Sequence, residues 1–204
     1  MCGYSRLSRH PSFMLPLDYR KLLQVHYPRR ILLHGLLLIS FLVLNEFSVA
    51  QTGDSKWRGE LLGAAREIIQ SAGTCALITI DEKENPQVRT MDAFAPENDF
   101  TVWLATNPNS RKVSQIKKHP DVVLFYNAKN DNGYVSIHGR AELVDDKASK
   151  QKYWKEEWAE FYPDRDKAYL LIRVKPQYLE LINYKRAING DSATWKPVRV
   201  EFKK

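Results

Sequence analysis

Two cysteines in 204 residues are too few for a disulfide scaffold or a multi-cysteine zinc module. Nine glycines exclude a collagen-like chain. There is no Gly-x-Ser-x-Gly elbow, no Gly-x-Gly-x-x-Gly turn, no Walker phosphate loop and no His-Glu-x-x-His. Five histidines include no pair at metal-ligand spacing, so no metal site is expected. Acidic side chains are also in deficit, 24 against 31 Lys plus Arg, for a net charge of +7. What is present is an ordinary globular balance, 44% hydrophobic and 27% charged, in a length that suits one domain.

The positive charge is unevenly placed. Residues 1–50 carry six basic side chains against Asp18 and Glu46, so +4 of the +7 belongs to the first quarter of the chain. The remaining excess is too small for a nucleic-acid footprint on the folded domain. Arg29 and Arg30 precede fourteen residues, Ile31 to Leu44, that are apolar except for His34, Gly35 and Ser40; Ser48-Val49-Ala50 follows. This is the layout of a secretory signal, with cleavage leaving Gln51 first. Its basic flank is long, and Met14 is an alternative start. The competing reading is an uncleaved anchor, but a spanning helix wants ~20 apolar residues, and extension to Ala50 takes in Asn45 and Glu46. The expectation is a signal peptide over 1–50, a linker over 51–56, a folded domain over 57–204, and export to the periplasm or beyond, with membrane anchoring as the alternative.

Within the domain, Trp57, Leu61, Ala64, Ala65, Ile68 and Ile69 have helical spacing, with Gly73 as the stop. Extended patterns follow at 74–80, 87–94, 100–105, 121–127 and 134–144, the last interrupted by Gly139, where a bulge or a close backbone approach is expected. A short helix is expected from Ser110 to His119 and a longer one from Asp145 to Phe161. Further strands are expected at 169–174 and 177–182, separated by Pro176, and at 198–202. Short connections imply antiparallel pairing. The fold class is α+β, mainly β: a closed or partly closed antiparallel barrel of six or seven strands with two or three flanking helices.

Chemistry concentrates at Thr106-Asn107-Pro108-Asn109-Ser110-Arg111-Lys112. Two cations open a helix, the wrong end for its dipole, an arrangement that makes sense if an anion docks there on free N–H groups, the Ser110 hydroxyl and both cations. The alternative is that both chains simply point into solvent. Arg89, mid-strand, is a natural third contact. Cys75 sits in an apolar run and reads as a buried small hydrophobe rather than a reactive thiol.

In order and spacing, several segments resemble the pyridoxamine 5′-phosphate oxidase-like flavoproteins, in the branch of general stress protein 26. They are Pro86–Met91, Val102–Thr106, Ser110–Val113, His119–Val122, Tyr134–Glu142, Asp145-Asp146, Trp158, Phe161–Asp164 and Leu170–Pro176. The resemblance implies an FMN-binding split β-barrel, usually a homodimer with flavin at the subunit interface. It implies that Arg89, Ser110, Arg111 and Lys112 hold the FMN phosphate, and that Thr90, Met91 and Thr106 lie along the ribityl chain and ring.

The chain departs from the true oxidases. Phe94 stands where they carry a lysine, Tyr134 where they carry a glutamine, and Ile182 near their C-terminal tryptophan; their final Arg-x-His is missing. Oxidation of pyridoxamine phosphate is therefore not expected. Three readings remain: an exported FMN-dependent oxidoreductase of unknown substrate, with no catalytic residue visible; a non-catalytic flavin-binding or buffering protein; and a barrel binding nucleic acid or protein without flavin, with Tyr126 and Tyr134 as stacking aromatics.

Overall fold

The computed structural model describes residues 55–129 and 132–203. The leader and nearly all of the linker lie outside the described residues, and with them the expectations placed on 1–54. Among the described residues no helix is long and apolar enough to cross a membrane.

Helix α1 (55–72) buries Leu61, Ala64, Ala65, Ile68 and Ile69 of the stripe its spacing predicts, while Trp57, in the first turn, stays exposed. Gly73 ends it at φ +75, its N–H bonded to the Ile69 carbonyl; a left-handed residue there suits glycine. Seven strands follow: β1 (Cys75–Ile80), β2 (Pro86–Met91), β3 (Val102–Thr106), β4 (Asp121–Asn127), β5 (Gly133–Val144), β6 (Leu170–Asn183) and β7 (Val198–Glu201). They form one antiparallel sheet in the order β2-β1-β4-β5-β6-β3, with β7 also on β6. The sheet curls until Ala93, two residues past β2, bridges Leu104 on β3. That near-closure makes a split barrel, whose inward residues (Leu77, Leu124, Ile137, Leu179 and Leu181 among them) form the main core under α1.

Helix α2 (Arg111–Lys118) covers the barrel with Val113 and Ile116 inward. Helix α3 (Lys147–Lys152) and the one-turn α4 (Arg165–Ala168) flank β6, so the described residues hold four helices where two or three were expected, two of them short.

Two expectations needed correction. The strands expected on either side of Pro176 are one continuous strand, β6. Pro176 faces Gly139 at a register shift after His138, so the missing N–H falls at a bulge and breaks no ladder. A Cβ on Gly139 would stand 2.4 Å from the Lys175 carbonyl oxygen, so the close approach there requires glycine. The helix expected over 145–161 stops at Lys152, and a 3₁₀ turn takes over at Glu156–Trp158. Aromatic packing ends it: Tyr153 stacks on Trp103 at 4.1 Å, and Trp158 packs beside Tyr169 and Phe94. These rings form a second core with Ala105 and Leu171, outside the barrel.

Candidate functional site

The split between the ends of β2 and β3 opens a cleft of about 600 Å³. One wall is Thr90, Met91 and Asp92, running off β2. A second is Thr106, Ser110 and Lys112, where β3 passes into α2. The third is aromatic: Trp158, Phe161 and Tyr162. The loop into α2 is shaped by Asn107, whose side-chain oxygen accepts the Asn109 N–H at 2.8 Å and whose carbonyl accepts the Ser110 N–H. Ser110 takes the N-cap position, yet its hydroxyl caps no helix N–H. It lies instead 2.9 Å from the Thr106 hydroxyl, and Lys112 Nζ donates to Thr106 Oγ1 at 3.0 Å and to Ser110 Oγ at 3.3 Å. One ammonium and two hydroxyls thus converge on the first turn of a helix with no acidic residue there.

The electrostatics are lopsided. Burial pushes the Lys112 ammonium below its ordinary range, and the neighbouring Arg89 and Arg111 push it further. Arg89 is lowered for the same reasons, burial first and then Arg111. Among the described residues no carboxylate lies within 4 Å of any of the three. A bound anion would relieve this repulsion and use the free helix N–H groups.

Five of the seven residues singled out in the sequence (Thr90, Met91, Thr106, Ser110 and Lys112) line this cleft. Arg89 and Arg111 stand beside Lys112 but do not. The Arg89 guanidinium turns toward Thr79 Oγ1 (2.6 Å) and Gln115 Oε1 (3.0 Å), tying β2 to β1 and α2. Sequence reasoning assigned no site role to Asp92 or to the aromatic wall. Asp92 receives Lys155 Nζ at 2.6 Å and Trp158 Nε1 at 2.9 Å, which fixes that wall against β2. The sequence signal for this wall is Trp158 with the Phe161-Tyr162-Pro163-Asp164 segment, which carry the resemblance but imply no site role.

Tyr126 is buried inside the barrel and presents no ring for stacking, while Tyr134 packs on Phe125. His119 and His138 belong to no metal cluster: among the described residues no group of three or more His, Cys, Asp or Glu side chains could hold an ion. Cys75 is the buried hydrophobe its context predicts, its thiol pushed up to about 11 by burial. Cys75 of the native protein is therefore expected to react with a thiol reagent at pH 8 no faster than unfolding allows, with its thiolate chemistry appearing only as pH approaches 11. Rapid labelling at pH 8 without denaturant, mapped to Cys75 and not to Cys2, would contradict this.

Residues 62–183 match the family model described as "Pyridoxamine 5'-phosphate oxidase like". General stress protein 26 of Bacillus subtilis (strain 168) is 24% identical over 106 residues, which cover 50% of this chain and 74% of the relative. The crystal structure of general stress protein 26 from Bacillus anthracis str. Sterne aligns at a TM-score of 0.55 and 25% identity, covering 69% of this chain and 98% of that one. A pyridoxamine 5'-phosphate oxidase-related, FMN binding protein from Nostoc punctiforme PCC 73102 shares the fold at a TM-score of 0.52 and 15% identity, covering 72% and 97%.

Proposed function

The chain belongs to the pyridoxamine 5'-phosphate oxidase-like family, and on that premise we propose that it binds FMN in the cleft and serves as a flavin-dependent oxidoreductase. The observation that carries this reading is the cationic cluster without carboxylates at the α2 N-terminus, set across a ligand-sized cleft from an aromatic wall. Lys112, Ser110 and Thr106 would hold the phosphate, with Arg111 and Arg89 supporting the charge from behind. Thr90 and Met91 would flank the ribityl chain and ring. Bound FMN would supply electron or hydride transfer. The chain's own part is to anchor the anion, orient the ring against Trp158 and Tyr162, and keep Asp92 engaged with Lys155.

The residues that replace those of the true oxidases are occupied structurally. Phe94 packs edge-on against Tyr153 and Trp158, and Ile182 is buried. The substrate is therefore taken to be something other than pyridoxamine phosphate. The second reading, a flavin binder without turnover, is favoured by the shortage of free acids: the cleft's carboxylates are Asp92, already paired, and Glu157.

A homodimer is part of the proposal. Val88, Ile78 and Val123 form a cross-strand row on the outward sheet face, with Phe125 and Tyr134 beside it; Val88 is 65% exposed. Thr90 pairs with Ala76, and Ala76 with Phe125, so this apolar face runs into the cleft rim. A second copy seated there would cover both. The leader, read from sequence, would direct export.

The test is a visible spectrum of the full chain before and after FMN addition and gel filtration. Retained flavin that is reduced by an added donor and reoxidised by an acceptor supports the enzyme. Retained flavin that does not cycle supports the binder. No retained flavin on folded protein overturns both.

A further inference from the structure

We propose that the aromatic lip of the cleft is its substrate end and that it takes an organic cation with an apolar body. The proposal rests on the FMN reading, which places a phosphate on Lys112. Among the described residues Lys112 is the only cation that lines the cleft. Once a phosphate matches that charge, an anionic substrate has nothing in the cleft to pair with. The lip carries the opposite sign. Asp92 is matched by Lys155 at 2.6 Å. Glu157 is exposed, lines the cleft, and has no hydrogen-bond or ion-pair partner among the described residues.

Phe161 stands four residues further on in the same turn, its N–H bonded to the Trp158 carbonyl at 3.0 Å. Its ring is exposed and also lines the cleft. It meets no other ring and no cation among the described residues. An unpaired carboxylate beside an unpaired ring is the pairing that holds an ammonium, by charge and by the ring quadrupole. Trp158 and Tyr162 continue the aromatic surface into the cleft and would cover the apolar body. The surrounding charge agrees. Residues 156–164 hold Glu156, Glu157, Glu160 and Asp164 and no Lys or Arg, in a chain of net charge +7. That turn is a local negative field, which raises the concentration of cations at the lip.

The experiment is calorimetric titration of the FMN-loaded full chain with benzyltrimethylammonium, benzyl alcohol and benzenesulfonate, each built on one benzene ring. The cation is expected to bind about five- to twentyfold tighter than the alcohol, and the sulfonate weaker than either, with the difference shrinking as salt rises. Glu157→Gln is expected to weaken the cation about two- to fivefold, and Phe161→Leu by about the same factor. Glu157→Lys is expected to put the sulfonate ahead of the cation. Glu160→Gln removes an exposed carboxylate that does not line the cleft, and is expected to change the cation by less than about twofold. Retained FMN with equal affinities for cation and sulfonate overturns the substrate class and leaves the flavin reading standing. So does a cation preference that survives both Glu157 variants, or one that Glu160→Gln reduces equally. Failure to retain FMN overturns the flavin reading and this proposal with it.

Discussion

Replacing Lys112 by methionine is expected to lower FMN affinity ten- to a hundredfold. Methionine keeps the apolar stem and removes the ammonium that donates to Thr106 Oγ1 and Ser110 Oγ. A hydrogen bond to a charged group is worth about 1.5–3 kcal/mol, which converts to that range. The half-buried ammonium is destabilised by burial and by two neighbouring arginines, so the protein without ligand should tolerate its removal and melt no lower. A phosphate has the opposite preference and should miss the charge. Fluorescence titration of FMN into the full chain measures the ratio, and unchanged affinity would remove Lys112 from the site. Arg89→Ala is also expected to weaken FMN about tenfold or more, but by a mixed route. Its guanidinium ties Thr79 to Gln115, so this variant, unlike the lysine one, should also melt lower.

Trp158→Ala is expected to cost about 3–5 kcal/mol of stability, the range for truncating a buried tryptophan. For a domain of this size that is about 6–20 °C in melting temperature. Trp158 is 6% exposed and packs on Phe94, Tyr162 and Tyr169, and its indole N–H anchors the 3₁₀ turn to Asp92 at 2.9 Å. Truncation opens a void in the second core and releases Asp92 from one of its two partners. Phe161, three residues on, is the control. At 73% exposure it lines the same cleft, and Phe161→Ala should change stability by no more than about 0.5 kcal/mol. Thermal melts of the two variants separate packing from site shape. Equal losses would mean that the turn is held by something other than the Trp158 ring.

Local signals carried most of the fold into the sequence. The α1 stripe at Leu61, Ala64, Ala65 and Ile68, its glycine stop and the alternation in β1 and β4 each follow from one element's own periodicity. Gly139 marked its bulge because glycine inside a strand has few other uses. Features that depend on two elements at once were harder to read. Pro176 looks like a strand break until Gly139 is placed opposite it. Residues 145–161 look helical until Trp103 on β3 and Tyr169, just before β6, arrive to claim the aromatics.

The site divides in the same way. Ser110, Arg111 and Lys112 are adjacent in sequence and read as one anion-binding turn, of which Ser110 and Lys112 line the cleft and Arg111 does not. Thr90, Met91 and Thr106 come only with the family resemblance. Arg89 was legible as a cation near that turn, but its orientation toward Thr79 and Gln115 is a tertiary fact. Asp92 and Phe161 gained their meaning only when the 3₁₀ turn folded back on β2.

The most direct test of the central claim is the ratio of FMN to riboflavin affinity for the full chain, by fluorescence titration. The two flavins share ring and ribityl chain and differ by the phosphate. If Lys112, Ser110 and Thr106 hold that phosphate, FMN binds at least tenfold tighter than riboflavin, with the preference falling as salt screens the cationic cluster. Equal affinities would contradict the account, because they would leave the α2 N-terminus without its anion.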